Sequence, residues 1–493
     1  MHSRLAHELA RTPALLSQVA DRAGRLVAGV GERPVVRREP PQDGADQGAG
    51  ASRLPAVGAG TEGAWEEFAR RWEPGFSASA GPRYLGFVTG GATPAALAGD
   101  WLASALDQNV VTGLDSTAPE LERETVGRLR ELFGLPEAHT GAFVSGATLS
   151  NTVGLALARE WVGERRGVSV AEQGVAALGS PVTVLSGAPH SSIGKALSVL
   201  GLGRGALREV GVVPGREAVD VERLDAALEA LGGEPAVVVA NAGTVNTGDF
   251  DDLAALAALR ARHPFWLHVD AAFGGFAALS PEHAPLTEAL GEADSVCVDL
   301  HKWLNVPYDS AVQFTRHRAL QTRVFQNAAA YLGPLGDEPD FVHLTPENSR
   351  RLRALPAWFS LAAYGREGHA EIVRRDIALA RRLGERLAAL PGFRVLAPVR
   401  LNVVCFTLAD TGAGAESDPG AAQLGARLGA LTEAVTRSGE AFLTPTVYAG
   451  VPALRAAFSN WRTTAADADR VADALARALA GLGGPAGANS PTE

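Results

Sequence analysis

The chain has 493 residues, enough to bury one large hydrophobic core and one or two smaller ones. Hydrophobic residues make up 46% of the chain and charged residues 20%, which is typical of a globular protein. The net charge of −10 and the lack of basic runs interleaved with aromatic residues argue against nucleic-acid binding, and no apolar run reaches the length of a membrane-spanning helix.

The two cysteines, Cys297 and Cys405, lie far apart in the sequence and form no CxxC pair. Neither a disulfide framework nor a metal site is therefore expected. Cys297 falls in an apolar, strand-like run and is interpreted as a buried hydrophobic residue, not as a nucleophile. The N-terminus lacks the apolar stretch and cleavage site of a signal peptide. The sequence predicts a protein of the reducing cytoplasm with no membrane partner.

Four regions follow one another along the chain. Residues 1–64 are predicted to form a short helical segment followed by a flexible linker rich in Pro, Gly, Ala and Asp, at 38–63. From about residue 140, apolar runs such as "PVTVLSG" and "FWLHVDAAF" alternate with amphipathic helical patterns. This alternation predicts a mostly parallel sheet with helices on both faces, a large α/β domain over 65–345. A smaller α+β domain is predicted over 346–485, followed by a disordered tail over 486–493.

The stretch "VCVDLHKWLNVPYD" contains Lys302, one of only two lysines among the 45 lysine and arginine residues of the chain. Strand periodicity places Lys302 at or just past the C-terminal end of an apolar strand. A lysine amine that is desolvated there can lose its proton and form a Schiff base with a carbonyl, which arginine cannot do. The alternative is an exposed lysine with no chemical role.

Asp270 in "WLHVDAAFGG" is predicted to end a buried strand, 32 residues before Lys302. A carboxylate in such a place is costly unless it has a cationic partner, and a protonated pyridine nitrogen is one such partner. Ala271 and Ala272 would let a flat ring lie close to the backbone. The alternative is a carboxylate that caps the next helix or binds backbone amides.

Three further motifs also follow predicted strands. In "VSGATLSN" (144–151) the backbone N–H groups of Ala147 and Thr148, at the start of a helix, would form an anion site. His190 in "GAPHSSIG" could stack on a ring, although a lone histidine there is more often a helix cap. Thr244 in "NAGTVNTG" and His268, which shares a strand face with Asp270, complete the set. An anion site, a stacking histidine, an acid and a Schiff-base lysine at successive strand ends are what bound pyridoxal phosphate (PLP) requires.

The order and spacing of these motifs resemble the group II PLP-dependent amino-acid decarboxylases, the family of the aromatic-L-amino-acid and glutamate decarboxylases. The resemblance runs from about residue 65 to 480. It is most specific in "HVDAA" (268–272) and "HKW" (301–303), with support from "PHSS", "AGTVNTGDFDDL" and "SRRLRALPAW" (349–358). It implies fold type I of the PLP enzymes, the aspartate aminotransferase-like fold, with a mostly parallel central sheet and a smaller α+β C-terminal domain.

Carried over position by position, the family pattern makes Lys302 the lysine that holds the cofactor as a Schiff base. Asp270 becomes the partner of the pyridinium nitrogen, and His190 the residue that stacks on the ring. The resemblance implies a further set of residues around the phosphate and the ring: Ala147, Thr148, Thr244, Ala272 and His301.

The family usually forms dimers in which a mobile loop of one subunit closes the active site of the other. That loop falls in 325–344, where Tyr331 matches the tyrosine that protonates the substrate carbon. Arg455 matches an arginine that binds the substrate α-carboxylate in glutamate decarboxylases. For both residues the alternative is a surface position without a catalytic role.

The chain also departs from the family pattern at two places. Many members have Asn-Pro before the His-Lys pair, where this chain has Asp299 and Leu300. The segment "GPRYLGFVTGG" replaces a more aromatic segment of the substrate pocket and makes Phe87, Val88 and Thr89 the substrate-binding candidates. The loss of aromatic residues favours an aliphatic or small polar amino acid as substrate.

The predicted function is therefore PLP-dependent conversion of an L-amino acid to its amine and CO₂ by a homodimer. One alternative is an aldehyde synthase, which couples decarboxylation to oxidative deamination; Tyr331 argues against it because that branch typically has phenylalanine at this position. Another PLP lyase or an aminotransferase, and an interaction protein that binds no cofactor, are the remaining alternatives. The sequence specifies neither the substrate nor a role for residues 1–60.

Overall fold

Short runs rich in valine and other apolar residues form a central sheet that is buried on both faces. The computed structural model describes residues 1–37, 54–327, 338–409 and 419–483. The strands of this sheet are β1 (Thr140–Val144), β2 (Val184–Ser186), β3 (Leu207–Glu209), β4 (Ala236–Asn241), β5 (Phe265–Asp270), β6 (Ser295–Asp299) and β7 (Ala311–Thr315). In the described part of the chain their order is β1-β7-β6-β5-β4-β2-β3. Only β7 runs against the others, so the predicted mostly parallel sheet is confirmed.

Helices cover both faces of this sheet. The α-helices are α1 (Ser3–Ala28), α2 (Gly60–Arg71), α3 (Pro94–Leu106), α4 (Ala118–Leu132), α5 (Ala147–Arg165), α6 (Val170–Gln173), α7 (Ser191–Val199), α8 (Val221–Glu229), α9 (Leu253–Ala258), α10 (Leu300–Trp303), α11 (Arg318–Phe325), α12 (Ala354–Ala389), α13 (Pro419–Ser438) and α14 (Ala465–Gly483). Alternate residues of β4 point to opposite faces: Val237 and Val239 join the core formed with α5 and α7, whereas Val238 joins the core formed with α8 and α9. The C-terminal ends of the parallel strands consequently meet at one edge.

A second, antiparallel sheet follows in the C-terminal part of the chain. Its strands are β8 (Phe393–Val395), β9 (Val403–Leu408), β10 (Thr444–Tyr448) and β11 (Val451–Ala457), in the order β10-β11-β9-β8. Apolar residues of this sheet pack against α12, α13 and α14. The α14 helix begins with reciprocal hydrogen bonds between Thr464 and Asp467, which form a capping box. Leu85 belongs to the segment "GPRYLGFVTGG" (81–91), called the pocket segment below. Its N–H donates to Phe442 O and its carbonyl accepts from Ala457 N, which anchors the pocket segment to this sheet.

At the N-terminus, α1 and α2 pack against each other and are joined by an ion pair between Arg11 and Glu62. Large apolar side chains on the two helices and just beyond them are exposed: Leu5, Leu9, Leu16, Phe68 and Trp72. Within the residues described here, none of the helices combines the length and the apolar character that crossing a bilayer demands.

A fully buried ion pair fastens α4 to the segment before α12. The side chains of Glu122 and Arg350 are both 0% exposed. The Glu122 carboxylate also accepts from Phe143 N, and the Arg350 guanidinium donates to Phe143 O, on β1. The pair thus links a helix, a loop and an edge strand of the sheet.

Replacing Arg350 by methionine is expected to lower the free energy of unfolding by about 3–5 kcal/mol, because it leaves the Glu122 carboxylate buried and unpaired. Urea unfolding followed by circular dichroism measures the change. The double variant Glu122→Leu/Arg350→Met should recover most of the loss. Arg351→Met is a matched control: Arg351 is partly exposed, pairs with Asp100, and should contribute less than about 1 kcal/mol. An Arg350→Met protein as stable as its parent would contradict the expectation.

Candidate active site

Lys302 lies on α10, one short turn beyond the end of β6. The N–H groups of Leu300 and His301 both donate to Ser310 O, which fixes this turn against β7. The Lys302 side chain is 17% exposed, and its Nζ lies 3.6 Å from Oδ2 of Asp299. A Cβ on Gly90 would come within 1.7 Å of Lys302 O, so only glycine allows the pocket segment to lie directly against the lysine backbone.

Asp270 ends β5 and is 7% exposed. Its Oδ2 accepts from Nδ2 of Asn151 at 2.8 Å, and its Oδ1 accepts from Ala272 N at 3.2 Å. No ion pair joins Asp270 to a basic side chain in the described part of the chain. The site thus holds a buried carboxylate that is oriented by neutral donors and has no cationic partner of its own.

A chain of hydrogen bonds through Trp266, Ser295 and His268 fixes the orientation of Asn151. The Trp266 indole donates to Ser295 Oγ, so the Ser295 hydroxyl is left to donate to Nδ1 of His268. Burial lowers the pKa of His268 to about 4, so its ring is neutral. Because the Asp270 carboxylate only accepts, Asn151 turns Nδ2 toward Asp270 and Oδ1 toward His268, which assigns the ring proton to Nε2. Nε2 then donates to Asn151 Oδ1 at 2.9 Å, which directs the Asn151 amide group toward Asp270. His268 and Asp270, which are predicted to share a strand face, are connected through the Asn151 side chain.

The same asparagine connects Asp270 to His190. Nδ2 of Asn151 donates to Ser192 Oγ at 3.1 Å, and Ser192 Oγ lies 2.8 Å from Nδ1 of His190. His190 also caps α7, because its Nδ1 accepts from Ser192 N. Although the residue reaches solvent, desolvation by the surrounding protein lowers the pKa of His190, and the positive charges of Lys302 and Arg455 act in the same direction. His190 is therefore a helix cap and also lies at the candidate site.

The N-terminus of α5 points its first N–H groups at the same edge of the sheet. Ala147 and Thr148 begin the helix, where N–H groups have no acceptor within the helix. Gly146 precedes them, and Cε1 of His301 lies 3.6 Å from the position of a Cβ built on this glycine. His301 packs against Tyr308 with ring centroids 4.1 Å apart and the ring planes tilted by 36°. The free N–H groups at this helix start, beside His301, are suited to bind an anion.

Thr244 and Arg455 lie where the loop after β4 meets β11. The Thr244 hydroxyl donates to Glu217 Oε2 at 2.6 Å and accepts from Asp249 N at 3.0 Å. The Arg455 guanidinium donates to Val245 O at 2.6 Å. Desolvation lowers the pKa of Arg455, and the nearby Cys405 and Glu217 oppose that shift.

The pocket segment has a strained backbone beside Lys302. Phe87 and Val88 have φ angles of 62° and 64°, a region that valine rarely adopts. Phe87 is 58% exposed, whereas Val88 and Thr89 are buried. The Thr89 hydroxyl lies 3.3 Å from the Tyr308 hydroxyl. Tyr331 lies outside the described residues.

The profile of the pyridoxal-dependent decarboxylase conserved domain matches residues 61–409. The chain belongs to the pyridoxal-dependent decarboxylase family. Aromatic-L-amino-acid decarboxylase from Bacillus atrophaeus is 28% identical over 340 residues, which are 66% of this chain and 67% of that protein. Cysteine sulfinic acid decarboxylase from Homo sapiens is 32% identical over 335 residues, which are 66% of each chain.

Among solved structures, Oryza sativa TDC with PLP and tryptamine superimposes with a TM-score of 0.86 at 24% identity. The match covers 96% of this chain and 98% of that one. Together the comparisons confirm the predicted family, the fold-type-I α/β fold, PLP as the cofactor and PLP-dependent amino-acid decarboxylation as the activity.

The residues at this edge fit PLP as the family requires. The cofactor carries an aldehyde, a phosphate and a pyridine nitrogen. Lys302 offers a primary amine, and the helix start at Ala147 and Thr148 offers an anion site. Asp270 offers a buried carboxylate without a cationic partner. Each chemical group of PLP thus has a matching group of the chain.

Sequence reasoning missed two members of this pyridoxal-dependent decarboxylase site, Asn151 and Ser192. Asn151 contacts Asp270 across 119 positions of sequence and Ser192 across 41 positions. One signal was available: Asn151 lies four residues after Ala147 in the anion motif, one turn further along the same helix.

Proposed function

We propose that this pyridoxal-dependent decarboxylase holds PLP with the residues at the strand ends and acts on an aliphatic or small polar L-amino acid. The observation that carries the proposal is the buried Asp270 carboxylate, oriented by Asn151 and without a cation, at the same sheet edge as Lys302. Phosphate would bind at Ala147, Thr148 and His301. Thr244 and Ala272 would border the ring, and His190 would lie against its face.

When bound, PLP supplies an electron sink for the electron pair that is left on Cα as CO₂ departs. Asp270 holds a proton on the pyridine nitrogen by charge, and Asn151 keeps the carboxylate directed at that nitrogen. His190 excludes water from one face of the ring. Arg455 binds the α-carboxylate of the incoming amino acid. The Tyr331 hydroxyl delivers the proton to Cα that replaces the lost CO₂.

The proposed substrate class rests on the pocket segment. Phe87 is the one aromatic residue of its three candidate positions, and Thr89 with Tyr308 adds a polar pair of hydroxyls. A pocket of this composition suits a short side chain with at most one or two hydrogen-bonding groups.

We further propose a cytoplasmic homodimer with active sites at the interface. The exposed apolar side chains of α1 and α2 support a large contact surface, and the two buried, unpaired cysteines are compatible with a reducing compartment. The proposed domain division stays 1–64, 65–345 and 346–485, with 486–493 outside the described residues.

Mixing two variants that form no amine tests the shared site. Lys302→Ala should be inactive alone, and Tyr331→Phe should form no amine alone. If Tyr331 acts in the neighbouring subunit, random exchange gives heterodimers with one intact site, about a quarter of all sites. Recovery of about a quarter of the parental activity after unfolding and refolding the mixture is expected. No recovery, with heterodimers detected by native mass spectrometry of differently tagged variants, would place both residues in one subunit's site.

The function is tested by incubating the PLP-loaded protein with a panel of proteinogenic and common non-proteinogenic amino acids. Mass spectrometry then identifies amines, aldehydes and keto acids. An amine from aliphatic or small polar substrates is expected. An aldehyde with ammonia and peroxide would assign the chain to aldehyde synthesis, and an amine from catechol or indole substrates alone would contradict the substrate class.

A further inference from the structure

The carboxylate of Asp299 lies between two basic side chains of the candidate active site. Asp299 ends β6 and is 3% exposed. Its Oδ1 lies 3.0 Å from Nδ1 of His301, and its Oδ2 lies 3.6 Å from Nζ of Lys302. The contact with His301 is too poorly aligned to be a hydrogen bond, so Oδ1 has no donor within the described residues. Asp299 N donates to Ala272 O, which fixes the carboxylate beside the lysine.

Other charged and titratable groups surround the same point from neighbouring elements. They are His190 at the start of α7, Asp270 at the end of β5, Cys297 on β6 and Arg455 on β11. Asp270 is already engaged by Asn151 and Ala272 N. Burial raises the pKa of Cys297 well above its usual value, so this thiol stays neutral. Within the described chain, Asp299 is therefore the acidic group in ion-pair contact with Lys302.

We propose that Asp299 is a positioning residue that stabilises positive charge on Nζ of Lys302, both when the amine is free and when it is bonded to the cofactor. The inference rests on the proposed function of Lys302. A carboxylate within about 4 Å of a cation stabilises it by Coulomb attraction, which an uncharged amide cannot do. An amide at position 299 would leave the nitrogen of Lys302 without this counter-charge.

The variants Asp299→Asn and Asp299→Glu test this by a spectroscopic readout. Visible absorption of the PLP-loaded protein is recorded against pH, because the band changes when the nitrogen bonded to the cofactor loses its proton. In Asp299→Asn the midpoint of that change should fall by at least about one pH unit. Asp299→Glu keeps the charge and should stay closer to the parent. An unchanged midpoint in Asp299→Asn would overturn the proposal, and Asp299→Ser repeats the charge loss if the asparagine variant does not fold.

Asp294→Asn is the matched control at the other end of the same strand. Asp294 immediately precedes β6, is buried, and pairs with Arg260, Arg316 and His317. This variant should lower the thermal midpoint of unfolding and leave the spectral midpoint unchanged. If Asp294→Asn and Asp299→Asn lower stability alike and neither shifts the spectrum, Asp299 has only a structural role.

The parent protein separates this inference from the function on which it rests. Borohydride reduction of the PLP-loaded parent should fix the cofactor on Lys302. If it does not, the proposed role of Lys302 fails and the role of Asp299 fails with it. If the parent is labelled and Asp299→Asn shows the parental midpoint, only the role of Asp299 is overturned.

Discussion

Replacing Lys302 by alanine is expected to abolish both amine formation and covalent attachment of the cofactor. The site offers one primary amine, held 3.6 Å from Asp299 and 5.7 Å from the centre of the Phe273 ring. The loss in kcat should be at least about a thousandfold, because a residue that forms a covalent bond to the cofactor has no substitute. Lys302→Arg should be equally inactive, since guanidinium keeps its proton. Initial rates of CO₂ release measure the effect.

The second lysine provides the control for this experiment. Lys195 lies exposed on α7, and Lys195→Ala should retain parental activity. Because the chain has only two lysines, peptide mapping after borohydride reduction distinguishes them without ambiguity. Cofactor found on Lys195, or a Lys302→Ala protein with undiminished turnover, would refute the assignment.

The positions of Lys302 and Asp270 at strand ends could be predicted from the sequence because their signals are local. Asp270 ends an apolar run typical of a buried strand and Lys302 lies three residues past the end of another, and the parallel direction of those strands brings their C-terminal ends to one edge. The order of the strands could not be predicted in the same way. Periodicity identifies β1 and β6 as strands but contains no information that the reversed β7 lies between them.

The contacts of Thr244 and Asn151 could not be predicted for a related reason. A hydroxyl near a strand end suggests a ring-lining group, yet the Thr244 hydroxyl is engaged by Glu217, 27 residues earlier in the chain. Asn151 gains its function only from the meeting of α5, β5 and α7. The positive φ of Val88 contradicts local preference, and it occurs between two anchored neighbours: Leu85 accepts from Ala457 N on β11, and Gly90 N donates to His301 O.

Asp270→Ala is expected to lower kcat by about two to four orders of magnitude and to leave the fold intact. Without the carboxylate nothing holds a proton on the pyridine nitrogen by charge, so the electron pair on Cα loses most of its stabilisation. The Asn151 amide group then loses the Asp270 acceptor and keeps Ser192 Oγ. Asp270→Asn restores the shape but not the charge, and should be nearly as impaired. Stopped-flow and steady-state rates at full cofactor occupancy measure the loss.

Asn151→Ala separates the charge of Asp270 from its orientation. It removes the 2.8 Å hydrogen bond but keeps the carboxylate, so kcat should fall by only about 10- to 100-fold. Asn151 also donates to Ser192, which contacts His190, so part of the loss in kcat would come from a changed position of His190. If the carboxylate acts through charge, Asp270→Asn must be more impaired than Asn151→Ala. The reverse order, with cofactor bound equally in both variants, would mean that Asp270 serves the site through geometry alone and that the pyridine nitrogen needs no acid.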